Sequence, residues 1–164
     1  MDVVTLRALE AFPRQLEEFF ADLPAGFLGW KPASWEGIPS EPFSALEQLC
    51  HVRDIEIDGY HVRFERTLSE DRPMLPSVDG FALVEARSYA AARPGEVIGA
   101  FRAAREKTVS LLRALPPGAY ERPAHFEGYG DVSLRSLVHF LCSHDQQHLA
   151  GLQWLLGQYA APRR

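Results

Sequence analysis

His144 and His148 stand four residues apart in a stretch with helical periodicity, so they share one face, about one turn apart. Two imidazoles so placed can reach a single ion. The apolar residues around them identify the face. Leu134, Leu141, His148 and Leu155 form one seven-residue row, and Leu137, His144 and Gly151 form the row beside it. That is the stripe by which a helix packs into a bundle. Both histidines therefore occupy positions where a bundle core ordinarily takes leucine. Buried polar groups need partners, and a shared metal ion is one way to supply them.

A usable metal site needs a third ligand. Helical zinc proteases carry Glu directly after the first His and often find a ligand downstream. Here Asp145 follows His144, and no His, Cys, Asp or Glu follows His148, so the third ligand must come from upstream. His139 lies about 140° around the helix from His144 and faces elsewhere. His125 falls in a loop before the last helix, and His61 is about 80° away from His51. His51 is the best choice, in the middle of an earlier helix on a partly polar face. Three histidines leave a coordination position open, as catalytic sites do. Glu47, Asp54 and Asp145 are candidates to orient the imidazoles. The plainer alternatives are a core histidine with ordinary partners, and a solvated face formed by Glu47, Asp54 and Asp58 with Arg53 and Arg63. A di-iron carboxylate site is excluded, because the required Glu-x-x-His pairs are missing.

These residues need helices to hold them. Residues 2–23 show apolar spacing of three and four, with Pro13 expected to start or kink the helix. Residues 24–42 form a proline- and glycine-rich loop whose Trp30 and Trp35 are expected to plug the end of a core. A second helix is expected over 43–68, capped by Ser44 or Ser40; Glu47 falls three residues after Ser44, at capping-box spacing. A long connection, 69–95, contains a short helical stretch at 81–92 and is expected to cross the bundle. A third helix covers 96–115, with Arg102, Arg105, Glu106 and Lys107 read mostly off its apolar stripe. Residues 119–132 read as a loop, and the fourth helix covers 133–159, capped by Asp131 or Ser133. No strand shows convincing alternation. The expected fold is all-α: a four-helix bundle with a long crossover connection, as one domain over residues 1–164.

The composition bounds the partners. The 164-residue chain is 46% hydrophobic and 24% charged, with a net charge of −5. That charge argues against non-specific nucleic-acid binding. No basic block suits an anionic membrane surface, and no apolar run is long enough to span one. The first residues lack the basic start and apolar run of a signal peptide, so a cytoplasmic location is expected. Cys50 and Cys142 lie in apolar helical segments and read as buried thiols rather than a disulfide framework.

Several segments together resemble the DinB-like (YfiT-like) superfamily of four-helix-bundle metalloproteins. They are Trp30-Lys31-Pro32, Leu49-Cys50-His51-Val52-Arg53-Asp54, Phe101-Arg102-Ala103-Ala104-Arg105 and His144-Asp145-Gln146-Gln147-His148. The resemblance implies that His51, His144 and His148 bind a divalent metal such as nickel, zinc or iron. It also implies a homodimer and a metal-dependent enzyme acting on a small molecule, either a hydrolase or an S-transferase using a low-molecular-weight thiol. A non-catalytic metal- or ligand-binding stress protein is the alternative. The sequence departs from many members at Glu36-Gly37-Ile38-Pro39, which intervenes between Trp35 and the second helix beside the expected pocket.

Overall fold

Two helix starts are written into the sequence as reciprocal side-chain and backbone bonds, and both are built. The computed structural model describes residues 3–161. Ser44 Oγ accepts from the Glu47 amide, and the Glu47 carboxylate accepts from the Ser44 amide at 2.8 Å. Ser133 does the same with Ser136.

The first helix, α1, spans Val3–Ala21; Asp2, with which the expected helix began, lies outside the described residues. Pro13 sits inside α1 without ending it. A proline has no N–H to offer the carbonyl four residues earlier. The freed Leu9 carbonyl instead accepts from Arg105 Nη1 at 3.0 Å.

The second long helix is α2, Ala45–Asp54, which continues through a π-helical segment, Ile55–His61, into α3, Val62–Ser69. A π turn takes more residues than an α turn and so shifts the helix phase. A straight helix would align His51 and Ile55 with Asp58 and Val62. Instead Asp58 and Val62 are exposed, while Glu56 and Arg63 turn inward.

The crossover holds β1 (Met74–Leu75), α4 (Gly80–Ala86) and a single 3-10 turn, Tyr89–Ala91. Asp79 caps α4 by accepting from the Phe81 and Ala82 amides. The Tyr89 hydroxyl donates to Asp54 Oδ2 at 2.6 Å and ties the crossover to α2. Helix α5 spans Pro94–Ala114. A 3-10 turn, Pro117–Glu121, leads to β2 (Pro123–Phe126) and β3 (Gly130–Ser133), and α6 covers Leu134–Ala160. Four long helical segments thus form the bundle: α1 packs on α5 and α6, and α2 packs on the same two. No helix among the described residues is long and apolar enough to cross a membrane.

The strands depart from the sequence expectation. β2 and β3 form an antiparallel hairpin from Pro123↔Ser133 to Phe126↔Gly130, and β1 joins parallel to β2 through Met74↔His125 and Leu75↔Phe126. Strands of two to four residues carry too little alternation to be read locally. Gly128 and Gly130, at φ of +83° and +80°, supply the left-handed backbone the tight hairpin needs. The tryptophans plug the core end as expected: Trp35 stacks on Trp154, and Trp30 meets Tyr159 edge-on.

The core has an apolar cluster at each end. One gathers Leu9, Ile55, Leu112, Leu137 and Leu141; the other gathers Phe12, Val52, Phe101, Leu152 and Leu155. On α1 and α2 the two clusters meet at adjacent turns, and on α6 they are separated by the stretch from Leu141 to Leu152. Between them lies a buried polar layer that includes His51, Glu56, Arg105, Asp145 and His148.

Candidate metal centre

The polar layer is where α6 turns His144 and His148 inward, between Leu141 and Leu152. From the facing α2, His51 enters the same space. The ring centroids of His51 lie 5.3 Å from His144 and 4.9 Å from His148, and the two α6 rings are 4.4 Å apart. His51 Nε2 and His144 Nε2 are 3.2 Å apart. A fourth group that the sequence reading missed, Glu41, comes from the loop before α2. Its Oε2 is 3.1 Å from His148 Nε2, and its Oε1 is 3.8 Å from His51 Nε2. One donor atom from each of Glu41, His51, His144 and His148 falls within 4.8 Å of all the others.

The bonding around His148 decides which nitrogen faces the cluster. Gln48 Nε2 donates to the Phe43 carbonyl at 3.3 Å, which turns Gln48 Oε1 toward α6 as an acceptor. Ser40 Oγ donates to that oxygen at 3.1 Å, and His148 Nδ1 lies 3.0 Å from it. An amide oxygen only accepts, so Nδ1 carries a proton and Nε2 is the nitrogen left to offer a lone pair to an ion. That Nε2 is buried and makes no aligned hydrogen bond. Gly151 makes this approach possible, because a Cβ there would run into Ser40 Oγ and sit 2.9 Å from Gln48 Oε1. On the other side, a Cβ on Gly80 would lie 2.6 Å from His51 Cε1, so α4 roofs the cluster only because its first residue is glycine.

The electrostatics favour ligand forms. Burial, reinforced by His148, lowers the His51 pKa to about 4. Burial lowers that of His144 well below the ordinary value, with His148, His51 and Arg105 acting in the same direction. Neutral imidazoles are the form that binds metal. For Glu41, burial acts upward, but the close approach of His148 and the charge of His51 outweigh it and hold the carboxyl at about 2. Three imidazoles with a carboxylate beside them form a set suited to a divalent ion such as zinc, nickel or iron. The buried Nε2 of His148, which faces Glu41 without an aligned hydrogen bond, is the observation that shows the fit.

The other residues singled out in the sequence have different work. Glu47 caps α2 and accepts from Lys31 Nζ at 2.9 Å; Asp54 binds Arg53, Arg87 and Tyr89. Neither touches an imidazole of the cluster. Asp145 is fully buried and takes a two-pronged bond from Arg105, at 2.6 and 3.0 Å. Arg105, read as off the apolar stripe, is instead 1% exposed. Its Nε and Nη2 reach Glu56, its Nη1 and Nη2 reach Asp145, and Nη1 also reaches the Leu9 carbonyl, which fills all five donors. Burial, with the nearby Glu56 charge, drives the Asp145 pKa up to about 7 against the pull of Arg105. His61 bonds Thr108 and the Ala104 carbonyl, His125 bonds Asp131, and exposed His139 lies 3.4 Å from Thr5 Oγ1. Cys50 is buried as expected, but Cys142 is only partly so.

A cavity of about 300 Å³ opens beside the cluster, with His51, His144 and Glu41 in one wall and Val78, Gly80 and Phe81 of the crossover in another. The sequence profile of the DinB superfamily matches residues 8–152. A solved structure, YfiT from Bacillus subtilis, superposes with a TM-score of 0.83 over 97% of this chain and 87% of its own, at 19% identity. YfiT is described as "a probable metal-dependent hydrolase with an unusual four-helix bundle topology". No curated protein matches the chain.

Proposed function

The chain belongs to the DinB superfamily, and from that premise we propose that it is a metal-dependent hydrolase of small molecules whose divalent ion is held by His51, His144 and His148. The observation that carries the reading is the buried lone pair of His148 Nε2, fixed by Gln48 and aimed at two further neutral imidazoles and a carboxylate. When bound, the ion supplies Lewis acidity and makes water a nucleophile near neutral pH. The protein's own groups do the rest. Burial keeps His51 and His144 unprotonated, so acid does not compete for their lone pairs until well below neutrality. Glu41, ionised and in the cavity wall, is placed to take a proton from water. The cavity volume limits the substrate to a small molecule.

Metal analysis of the purified protein and of His148→Ala tests the centre. Metal in the first sample and its loss in the second is the expected result; equal, negligible metal in both sinks the reading. Glu41→Gln then separates the roles: it should keep the metal and lose turnover on an ester and amide panel. Turnover appearing only when a low-molecular-weight thiol is added would reassign the chemistry to S-transfer.

A further inference from the structure

Arg63 lines the same cavity as His51, His144 and Glu41. It is 5% exposed, and among the described residues no carboxylate lies within ion-pairing distance of it. Its Nη2 donates to the Pro76 carbonyl at 3.3 Å, while its buried Nε has no partner. The other buried arginine shows what such a group normally requires: Arg105 has two carboxylates and every donor filled. A buried cation with no counter-ion is costly, and a protein that keeps one generally has a use for it. Burial lowers the Arg63 pKa, which also marks the missing counter-ion.

The surroundings narrow what that use is. The Phe126 ring lies 4.4 Å from the guanidinium carbon and the Tyr60 ring 4.9 Å, which favours the charged form through its faces. Gly59 lets the group lie against bare backbone, since a Cβ there would be 3.0 Å from Nη1. With rings against the guanidinium, the free donors act in its plane. A planar fork of that kind matches the two oxygens of a carboxylate. Phe81 and Tyr129, 57% and 60% exposed, add aromatic surface to the same cavity. Arg63 is also near enough for its charge to act on the His144 imidazole.

We propose that Arg63 is a specificity residue that binds a carboxylate on the substrate, with an apolar or aromatic body lying between it and the histidine cluster. The inference rests on the cluster being the reactive centre, but it is tested without metal. Calorimetric titration of the metal-free protein with benzoate should give binding, with benzamide at least about tenfold weaker, as the loss of a charged hydrogen-bond pair implies. Arg63→Gln should weaken benzoate by a similar factor and leave benzamide unchanged, and Arg63→Lys should restore part of the affinity.

Equal benzoate affinity in wild type and Arg63→Gln overturns the proposal. Inorganic phosphate binding as tightly as benzoate overturns the carboxylate assignment. Melting temperature guards against a folding artefact: an unpaired cation kept for binding predicts that Arg63→Met melts no lower than wild type. A lower melting temperature, with benzoate binding lost, assigns Arg63 to core bracing instead. A chain that binds benzoate through Arg63 but holds no metal keeps this inference and removes the hydrolase reading; metal without Arg63-dependent benzoate binding does the reverse.

Discussion

Gln48 sets the usable nitrogen of His148, and it does so through one amide oxygen that also takes the Ser40 hydroxyl. Gln48→Ala removes that orientation while leaving all four donor groups in place. The expected result is a metal affinity lower by about 10–100-fold, read by competition with a chromogenic chelator. The depressed His51 pKa has a consequence in the metal-free protein. The unfolded imidazole titrates near 6.5 and the folded one near 4. Between these values the unfolded chain binds a proton that the folded chain does not, so acidification favours unfolding. Stability is full above pH 6.5 and falls as pH drops toward 4, by about 3 kcal/mol for His51 alone. Glu41 extends the loss below its ordinary 4.5. Urea midpoints of the metal-free protein at pH 7 and pH 5 measure the effect; an unchanged midpoint would refute it. His144 and His148 were legible because each stands in an apolar row, and His51 because it lies in mid-helix where a third ligand was needed. Gln48 stands in such a row too, with Ala45, Val52 and Ile55, but an uncharged residue beside Glu47 drew no notice. Glu41 lies in a loop, where periodicity says nothing.

The elements that serve the site are not the longest ones. Helix α4, seven residues between Gly80 and Ala86, covers His51 through a contact that leaves no room for a methyl group. Gly80→Ala should lift α4 off the imidazole. The expected cost is roughly 1–3 kcal/mol of stability, typical of overpacking, together with weaker metal binding. A melting curve and the chelator competition give the two readings, and unchanged values in both would show that the crossover yields freely. The long helices, the capping box at Ser44, a cap at Asp131 or Ser133 and the short crossover helix could be read from the sequence, because local spacing and capping specify them. The π-helical segment could not. Its extra residue turns Glu56 and Arg63 inward and sends Asp58 and Val62 out, a phase change invisible to a count that assumes 3.6 residues per turn. The three strands were equally hidden: each is too short to show alternation, and β1 pairs with a strand about fifty positions away.

Across the whole molecule, the polar layer between two apolar clusters makes the bundle depend on Arg105. Charged residues are read as surface by default, and Arg105 was; its place in the row Phe101, Thr108, Leu112 is the signal that pointed inward. Arg105→Ala leaves Glu56 and Asp145 buried together without a cation. The expected loss is about 3–5 kcal/mol, seen as a lower urea midpoint at neutral pH; a loss below about 1 kcal/mol would mean that water enters the layer. The parallel join of β1 to β2 bears on timing rather than on strength. It rests on few main-chain bonds, among them His125 N to the Pro73 carbonyl and Glu127 N to the Leu75 carbonyl. These bonds fasten the crossover to the hairpin that carries Phe126 and Tyr129, so the two halves of the cavity wall are latched together. Such a latch opens at far lower free energy than the bundle unfolds. The amides of His125 and Glu127 should therefore exchange with deuterium well before those inside α6, so the wall of the chamber beside the histidines breathes while the bundle that holds them stays folded.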